Sequence, residues 1–581
     1  MLAKILNGLF PVLLVVIFFC GSIIVHELGH YIAARICGLY VPRFSIGFGP
    51  RLFSKKIGDT EFCISLLPFG GYVSLPQLAD LSEIEGKFTI PDSAKPVTCT
   101  SKIIVAVMGA VFNILFALGL GLIVWGTGLP TNSEMTSRVI GYVEDELVLE
   151  DGTLITSPAK QAGLRAGDEI IAIDGSEVKS FGDIQQFLAL GTNKNELGEA
   201  YSDIRFLRDG EEESVAVFPV LIGNGSGLDR FRRIGVFPKQ DLVIHSTYCS
   251  DDDIHPGDKL VSVDDLPILS IRTLQEYVSG KQSVNVQFSR AGNVFSKVMK
   301  VMNVMDTRPH DHFVLSDGEF DIIPCYSGET GKADITEYTR SQLRLLCTDE
   351  DFLKKYDLDD DLELTCVNGI PCASLMDVVN HTNVGRRNTY TFLRSNMPLN
   401  VDFTGIQSIN VVPPSYKDVL GLNFTNELVV VHESPIVLVK DAVSMTLKTL
   451  AGVFNHHSDV SVRNLMGPVG LFRVLGVCSM MDVRIFLWFV ILINVNLAIL
   501  NMLPLPVLDG GCVVLALLEK LSKNRRECID RIFGILQTVF LFLLLGLLVY
   551  ISVFDIRRWR ADRTMRTEFE RQIEKQTRLK L

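Results

Sequence analysis

Two histidines and a glutamate stand directly against an apolar run near the start of the chain, in GSIIVHELGHYIAARICG (residues 21–38). On a helix, four residues correspond to about 400° of rotation and about 6 Å of rise, so His26 and His30 can face one metal ion. A zinc site of this kind uses neutral imidazole ligands and keeps one position for water. Glu27 is placed to accept the proton of that water as it attacks a carbonyl, which predicts hydrolytic chemistry.

Two histidines are too few protein ligands, so a third must come from elsewhere. The metzincin extension would need Gly and His where this chain has Ala33 and Ile36. No acidic residue occurs between Leu28 and Gly58. The third ligand is therefore expected to be distant in sequence.

The best candidate lies in NVNLAILNMLPLPVLDGG (residues 494–511). Pro504 and Pro506 cannot continue a helix, so the backbone must become irregular, which at membrane depth is tolerated only inside protein or beside a wet cavity. Asp509 stands in this stretch as the predicted third zinc ligand, and Asn501 can turn into the same cavity. Taken alone, the stretch is also typical of an interfacial loop that ends a membrane helix.

Four apolar stretches place this chemistry in a membrane. Hydrophobic residues make up 48% of the 581-residue chain, and the excess is concentrated at its two ends. Each stretch is near the roughly 17–25 residues that cross a bilayer. Ionisable groups against a membrane span are costly and usually functional, which strengthens the catalytic interpretation of HELGH. The stretches are Leu9–Val25, Ile103–Val124, Ile485–Leu500 and Ile532–Val553.

Charge patterning predicts the orientation. Lys and Arg cluster between the first and second spans and again between the third and fourth, so both loops are expected to be cytoplasmic and the long middle segment extracytoplasmic. The basic C-terminal tail conflicts with this topology, but acidic residues dilute its charge. The net charge of −12 argues against a nucleic-acid partner. The twelve cysteines are scattered and indicate neither a zinc ribbon nor a disulfide framework.

The middle segment contains a unit that appears three times: GLRAGDEIIAIDG (163–175), DIHPGDKLVSVDD (253–265) and DLDDDLELTCVNG (357–369). In each copy a strand pattern ends in a polar turn, and a serine (Ser180, Ser270 or Ser374) follows as the expected N-cap of a short helix. The unit resembles the PDZ domain, most closely in the first copy. PDZ folds bind extended peptides, and IGYV (140–143) and IGVF (234–237) could supply the carboxylate loops. Spacers or gates above the membrane are the alternative role.

Together, HELGH and Asn501-x-x-Pro-x-Pro-x-x-Asp-Gly resemble the site-2 protease family of intramembrane zinc metalloproteases, in particular the bacterial regulator-of-sigma-E type with tandem PDZ domains. GAVFN (109–113) and NLMGPVG (464–470) resemble further segments of that family, and GDTEFCISLLPFGGYV resembles its β-hairpin that dips toward the active site. The departures are the third PDZ-like copy, Cys512 where many members have His, and the long basic tail.

This resemblance implies one Zn²⁺ per chain, held by His26, His30 and Asp509, with Glu27 as general base and Asn501 contacting the substrate. It implies cleavage within or near the membrane segment of single-pass proteins, already shortened by another protease, as a step of regulated intramembrane proteolysis. Anti-sigma factors and remnant signal peptides are the expected substrates, with a peptide or the substrate's outer domain at the PDZ domains. The expected location is the inner membrane of a Gram-negative bacterium, with periplasmic PDZ domains and the active site near the cytoplasmic side.

The predicted fold is a multi-domain membrane protein, a four-helix zinc protease core with a membrane-dipping β-hairpin, interrupted by extracytoplasmic α+β PDZ domains. The predicted boundaries are a first membrane half at 1–130 (spans about 9–36 and 102–126, hairpin about 57–75), PDZ domains at 137–223 and 224–308, a third PDZ-like domain at 309–415, a connector with an amphipathic helix at 416–482, a second membrane half at 483–556 (spans about 483–503 and 531–554, joined by the LDG loop) and a basic tail at 557–581.

Other interpretations remain open at this point. The N-terminal run could be a cleaved signal peptide, although no small-x-small cleavage site precedes GSIIV. The chain could then be a secreted soluble zinc protease, or it could be a non-catalytic membrane scaffold, which would have no use for Glu27. His456 and His457 are adjacent, so their side chains diverge and a solvent loop is expected. Residues 432–454 could form an amphipathic helix on the membrane or against the PDZ domains.

Overall fold

In sequence order, long apolar helices near both ends of the chain flank a middle region built mainly of antiparallel strands. The computed structural model describes residues 2–78, 90–91, 95–149, 152–223, 230–247, 253–307, 310–315, 318–326, 341–347, 349–359, 362–395, 397–412, 415–425, 428–455, 465–521 and 526–580. The chain divides into two compact units, Met1–Asp241 with Asn426–Arg560, and Leu242–Thr425 with Ala561–Leu581.

The helices are α1 (Leu2–Cys37), α2 (Cys99–Thr127), α3 (Ser133–Thr136), α4 (Pro158–Gln161), α5 (Phe181–Leu190), α6 (Ile271–Val278), α7 (Glu350–Lys355), α8 (Leu375–His381), α9 (Pro435–Phe454), α10 (Pro468–Met481), α11 (Val483–Asn501), α12 (Asp509–Leu521) and α13 (Arg526–Lys580).

The strands of the first unit are β1 (Arg43–Ile57), β2 (Thr60–Val73), β3 (Leu129–Asn132), β4 (Ile140–Val143), β5 (Glu146–Val148), β6 (Leu154–Thr156), β7 (Glu169–Ile173), β8 (Ser176–Glu177), β9 (Ser202–Arg208), β10 (Glu211–Val217), β11 (Val220–Gly223), β12 (Arg230–Arg233) and β13 (Val236–Pro238), with β30 (Leu428–Val431) returning to it.

The strands of the second unit are β14 (Val243–Thr247), β15 (Lys259–Val263), β16 (Leu266–Pro267), β17 (Ser283–Arg290), β18 (Asn293–Lys300), β19 (Met302–Thr307), β20 (His310–Leu315), β21 (Gly318–Tyr326), β22 (Ser341–Leu346), β23 (Glu363–Val367), β24 (Ile370–Pro371), β25 (Asn388–Arg394), β26 (Met397–Phe403), β27 (Ser408–Val412), β28 (Ser415–Val419) and β29 (Leu422–Thr425).

Four helices in the described part of the chain are long and apolar enough to cross a bilayer, at Leu13–Cys37, Cys99–Thr127, Val483–Asn501 and Arg531–Ala561. The prediction of four spans is therefore confirmed, and the protein is a membrane protein. At 1.5 Å per residue each span reaches about the 30 Å of a hydrocarbon core. The segment predicted as a basic tail continues α13 as far as Lys580.

The first membrane helices pack closely because small residues lie where they meet. A Cβ atom on Gly29 of α1 would come 2.3 Å from the carbonyl oxygen of Met108 in α2, so only glycine allows this approach. The shared core of the membrane helices includes Ala117, Phe486 and Val495, all fully buried. The HELGH motif therefore lies on a helix whose position is fixed by its neighbours.

The strands β1 and β2 form an antiparallel hairpin that turns at Gly58 and Asp59. The hairpin was predicted at about residues 57–75, but its first strand begins at Arg43. Gly47 and Gly49, which favour a turn in sequence, instead lie within β1 with positive φ and accompany shifts in the pairing register. The apolar side chains of Phe48, Leu52, Phe53, Ile57, Ile64, Leu66 and Leu67 are exposed along the hairpin.

The three predicted repeat copies have equivalent structures. In each copy the strand is β7, β15 or β23, and a turn with two positive φ values follows at Asp174–Gly175, Asp264–Asp265 or Asn368–Gly369. Ser180, Ser270 and Ser374 each accept a hydrogen bond from the backbone N–H three residues later, which confirms them as N-caps of α5, α6 and α8. The assignment of these units to the PDZ fold stays a prediction.

The stretches IGYV and IGVF, which the predicted boundaries assign to the first and second PDZ domains, lie together. Val236 in β13 pairs with Val143 in β4, and both strands belong to the first unit. The second repeat, by contrast, forms the strand order β18-β17-β15-β14-β29 in the second unit. The described strands thus place both glycine-containing stretches beside the first copy.

Candidate active site

The helix α1 carries His26, Glu27 and His30 inside its apolar span. The two histidines are buried, with their ring centroids 4.7 Å apart and their planes nearly perpendicular. Their Nε2 atoms are 3.1 Å apart, as the i, i+4 spacing predicts for two ligands of one ion.

Asp509 is brought to the histidines by the irregular backbone between α11 and α12. Helix α11 ends at Asn501, and α12 begins at Asp509 itself. A Cβ on Gly510 would lie 2.3 Å from the Leu503 carbonyl oxygen, and one on Gly511 would lie 2.1 Å from the Leu505 carbonyl oxygen. The two glycines after Asp509 therefore allow the chain to fold tightly back on itself.

The three predicted ligands form one compact group. Asp509 Oδ2 lies 3.2 Å from His26 Nε2 and 3.4 Å from His30 Nε2. Apart from the two imidazoles, this buried oxygen has no hydrogen-bond partner among the residues that the structure describes. A tetrahedral ion with bonds of about 2.0–2.1 Å separates its ligand atoms by about 3.3 Å, which matches all three distances. The residues present therefore fit a zinc ion.

The ring orientations are set by partners on α2. The Val105 carbonyl oxygen accepts a hydrogen bond of 2.8 Å from His30 Nδ1, which leaves Nε2 of that ring free for a metal. The fully buried Asn113 amide lies 3.2 Å from His26 Nδ1. The Asn113 Nδ2 atom faces the ring, while Asn113 Oδ1 has no hydrogen-bond partner among the described residues. If the side-chain amide is rotated by about 180°, Oδ1 accepts a hydrogen bond from His26 Nδ1–H.

Sequence reasoning missed these two partners and the role of Gly109. A Cβ on Gly109 would come 2.5 Å from His30 Nε2 and 2.7 Å from His26 Cε1, so α2 passes directly against the ligand pair. The sequence signal for Gly109 and Asn113 is GAVFN, which indicates a resemblance to the family but not the role of either residue. Val105 acts through its backbone, and no residue type could have identified it.

Glu27 and Asn501 flank the three ligands. Glu27 faces the hairpin, since a Cβ on Gly71 in β2 would lie 3.4 Å from Glu27 Cγ. Asn501 Nδ2 lies 3.3 Å from His26 Nε2, so the predicted substrate-contacting amide is next to the candidate metal position. His456 and His457 lie outside the described residues.

The arrangement is that of a hydrolytic metal centre held between membrane helices. The chain matches the model of Peptidase family M50 over residues 14–547. It belongs to this family, the site-2 proteases, and is a zinc metalloprotease.

Curated relatives agree along nearly the whole chain. The chain is 25% identical to a protein of Haemophilus influenzae named regulator of sigma E protease, over 92% of this chain and 96% of the relative. Relatives named zinc metalloproteases in Thermotoga maritima (25% identical, 93% of this chain and 97% of the relative) and Chlamydia pneumoniae (23%, 92% and 97%) match similarly.

Proposed function

We propose that this protein is an intramembrane endopeptidase that cleaves single-pass membrane proteins within or near their membrane-spanning segment. The observation that carries this proposal is the position of His26 and His30 inside an apolar span, with Asp509 joining them from a second membrane element. A soluble zinc protease would have no use for such a location, since placing ionisable groups in a membrane is costly.

In this proposal His26, His30 and Asp509 hold the zinc ion through the three atoms described above. When bound, zinc polarises the scissile carbonyl and lowers the pKa of water at the site. Glu27 accepts the proton of the attacking water and passes it to the leaving nitrogen. The Asn501 amide, beside the same metal position, donates to the substrate carbonyl oxygen or holds the substrate backbone.

A helical substrate must be unwound first, because its carbonyl groups are occupied by its own hydrogen bonds. The hairpin is suited to this task, since it places Gly71 against Glu27 and pairs only β1 with β2 among the described strands. An added substrate strand would receive backbone hydrogen bonds in place of those it loses. The exposed apolar side chains along the hairpin suit contact with the bilayer.

We further propose that the substrates are anti-sigma factors or remnant signal peptides, shortened beforehand by another protease. The name of the Haemophilus influenzae relative, regulator of sigma E protease, supports this class. The repeats would limit access by binding a peptide or by excluding large outer domains.

The proposed location is a Gram-negative inner membrane with these repeats in the periplasm. The loop that follows α1 is rich in Lys and Arg, which favours the cytoplasmic side of the membrane. His30 lies only seven residues before α1 ends at Cys37, and this supports an active site near that side.

The test uses the full chain purified in detergent and a truncated single-pass substrate. We expect zinc at one ion per chain and cleavage by the wild type, but no cleavage by Glu27→Ala. The variant Glu211→Ala, in exposed strand β10, is the matched control and should cleave normally. Equal cleavage by wild type and Glu27→Ala would refute the catalytic role of Glu27. Unchanged zinc content and affinity in Asp509→Ala would refute the third ligand.

A further inference from the structure

A cavity of about 750 Å³ lies within the first unit, well away from the metal centre. Its walls come from α5 of the first repeat, from α9, from the C-terminal end of α2 and from the first half of α11. Val124, which lines it, is fifteen residues along α2 from Gly109, or about 22 Å at 1.5 Å per residue. None of the proposed catalytic residues lines this cavity.

One side of the cavity is apolar and lies at membrane depth. It is formed by Val124 near the end of α2 and by Trp488, Ile491 and Leu492 of α11, with Leu438 of α9. Trp488 and Leu492 are five and nine residues inside the span that begins at Val483, which corresponds to about 8 Å and 14 Å. Both side chains are only half-buried by protein. This side is therefore suited to a hydrocarbon chain.

The other side carries a lysine ammonium without an acidic partner. Lys448 Nζ donates to Ser176 Oγ at 3.1 Å and lies 3.9 Å from the centroid of the Phe187 ring. Within the described chain no carboxylate forms an ion pair with it, and an ammonium has three N–H donors. One donor thus remains for an anionic group in the cavity.

Carboxylates line the same polar side. Asp441 pairs with Lys179 at 3.7 Å, but Glu177 and Glu433 have no ion-pair partner in the parts of the chain that the structure describes. Asp183 also lines the cavity, but its carboxylate accepts from the backbone N–H groups of Lys179 and Ser180. The cavity therefore offers one cation without an ion-pair partner and two carboxylates that are free of such partners, above an apolar wall. A ligand that satisfies all three features must be zwitterionic at one end and hydrocarbon at the other.

We infer that this cavity binds a phospholipid with a primary-amine headgroup, a phosphatidylethanolamine. Its phosphate would accept from Lys448, its ammonium would donate to Glu433 or Glu177, and an acyl chain would lie against Trp488 and Leu492. A peptide fits less well, because its backbone polar groups would go unsatisfied against the apolar wall at membrane depth. The lipid would join the first repeat to the membrane helices.

The experiment measures lipid retention by the full chain carrying Glu27→Ala, so that proteolysis has no bearing on the result. The protein is delipidated in detergent and incubated with equal amounts of phosphatidylethanolamine, phosphatidylcholine and phosphatidylglycerol. It is then re-isolated, and the retained lipid is quantified by mass spectrometry. Choline lacks the N–H donors and glycerol lacks the positive charge, so each isolates one part of the headgroup.

We expect about one phosphatidylethanolamine per chain and a several-fold preference over the other two lipids. Lys448→Gln should reduce retention of the phosphatidylethanolamine several-fold, and Glu433→Gln should reduce its preference over phosphatidylglycerol. Lys440→Gln is the matched control, since Lys440 is exposed on the same helix and does not line the cavity. Equal retention by the Lys448 and Lys440 variants, or no headgroup preference, would refute the inference. A photo-crosslinking residue at position 488 gives a second test, with substrate peptide and phosphatidylethanolamine both present. Capture of the peptide instead of the lipid would also refute the inference.

Discussion

Gly109 lies directly against His30, with no room for even a methyl group between α2 and the imidazole that is predicted to bind zinc. A Cβ at position 109 would be 2.5 Å from His30 Nε2, closer than any non-bonded contact allows. The absence of a side chain at this position therefore determines how closely the helix approaches the metal centre.

Replacing Gly109 by alanine should displace the histidines while leaving the fold intact. Alanine is the better helix former by about 1 kcal/mol, so α2 itself is not weakened. We expect zinc affinity to fall by at least about tenfold, because changes next to metal ligands typically weaken metal binding by that much. Proteolytic activity should fall in parallel. Competition with a chelator measures the affinity.

The control for Gly109→Ala is Gly119→Ala, on the same helix, where an added Cβ meets no atom within 4 Å. This variant should bind zinc as the wild type does. Unchanged zinc affinity in Gly109→Ala would mean that the histidines adjust freely, and the close approach would then have no role in positioning them.

Asn113 is expected to orient His26 through the Nδ1 atom of the ring. Asn113→Leu removes the buried hydrogen-bond partner and should weaken zinc binding by about 10- to 100-fold. Asn113→Asp should retain most of the affinity, because a carboxylate accepts from Nδ1–H as well. If both variants lost zinc equally, the amide would be needed for packing alone.

The two halves of the site were predictable because their chemistry is visible in residue types. HELGH places two ligands one helical turn apart, and the prolines before Asp509 predict an interrupted helix in an apolar segment. The membrane spans were predictable for the same reason, since about twenty apolar residues have few other uses. The N-cap serines of the repeats follow from local hydrogen bonding alone.

What was not predictable depends on contacts between distant segments. The hydrogen bond from His30 to the Val105 carbonyl, the packing of Gly109 on both histidines and the long first strand of the hairpin all arise from packing across tens of residues or more. The same is true of IGVF, whose strand joins the first repeat because β4 offers it a partner. Backbone groups and glycines carry no side-chain chemistry that could reveal these roles.

A buried ion pair should hold α12, and with it Asp509, against α2. Lys102 Nζ lies 2.7 Å and 2.9 Å from the two carboxylate oxygens of Glu519, and both side chains are largely buried. Removing one partner leaves a buried charge, which costs about 3–5 kcal/mol. We therefore expect Lys102→Met to lower the thermal midpoint in detergent and to weaken zinc binding.

The double variant Lys102→Met with Glu519→Met removes both charges and should recover most of the stability, because an apolar pair of similar size replaces an ion pair at little cost. Zinc affinity should recover with it. Recovery of the thermal midpoint without recovery of zinc affinity would show that the pair stabilises the helices but does not position Asp509.

In the second unit, Asp258 should make folding sensitive to acid. The Arg290 guanidinium donates to both carboxylate oxygens, at 2.7 Å and 2.8 Å, and these hydrogen bonds hold the pKa of Asp258 below its ordinary value. A depressed pKa contributes stability that is fully present above the unfolded value of about 3.9 and is lost as pH falls through the folded pKa.

Hydrogen-exchange protection of the Leu260 amide, which bonds the Leu242 carbonyl oxygen, should therefore fall below about pH 4 in the wild type. Arg290→Met should lower this protection already at neutral pH and flatten its acid dependence, whereas Lys300→Met, at an exposed position of β18, should retain the wild-type profile. A wild-type acid dependence in Arg290→Met would assign the acid sensitivity of this unit to other carboxylates.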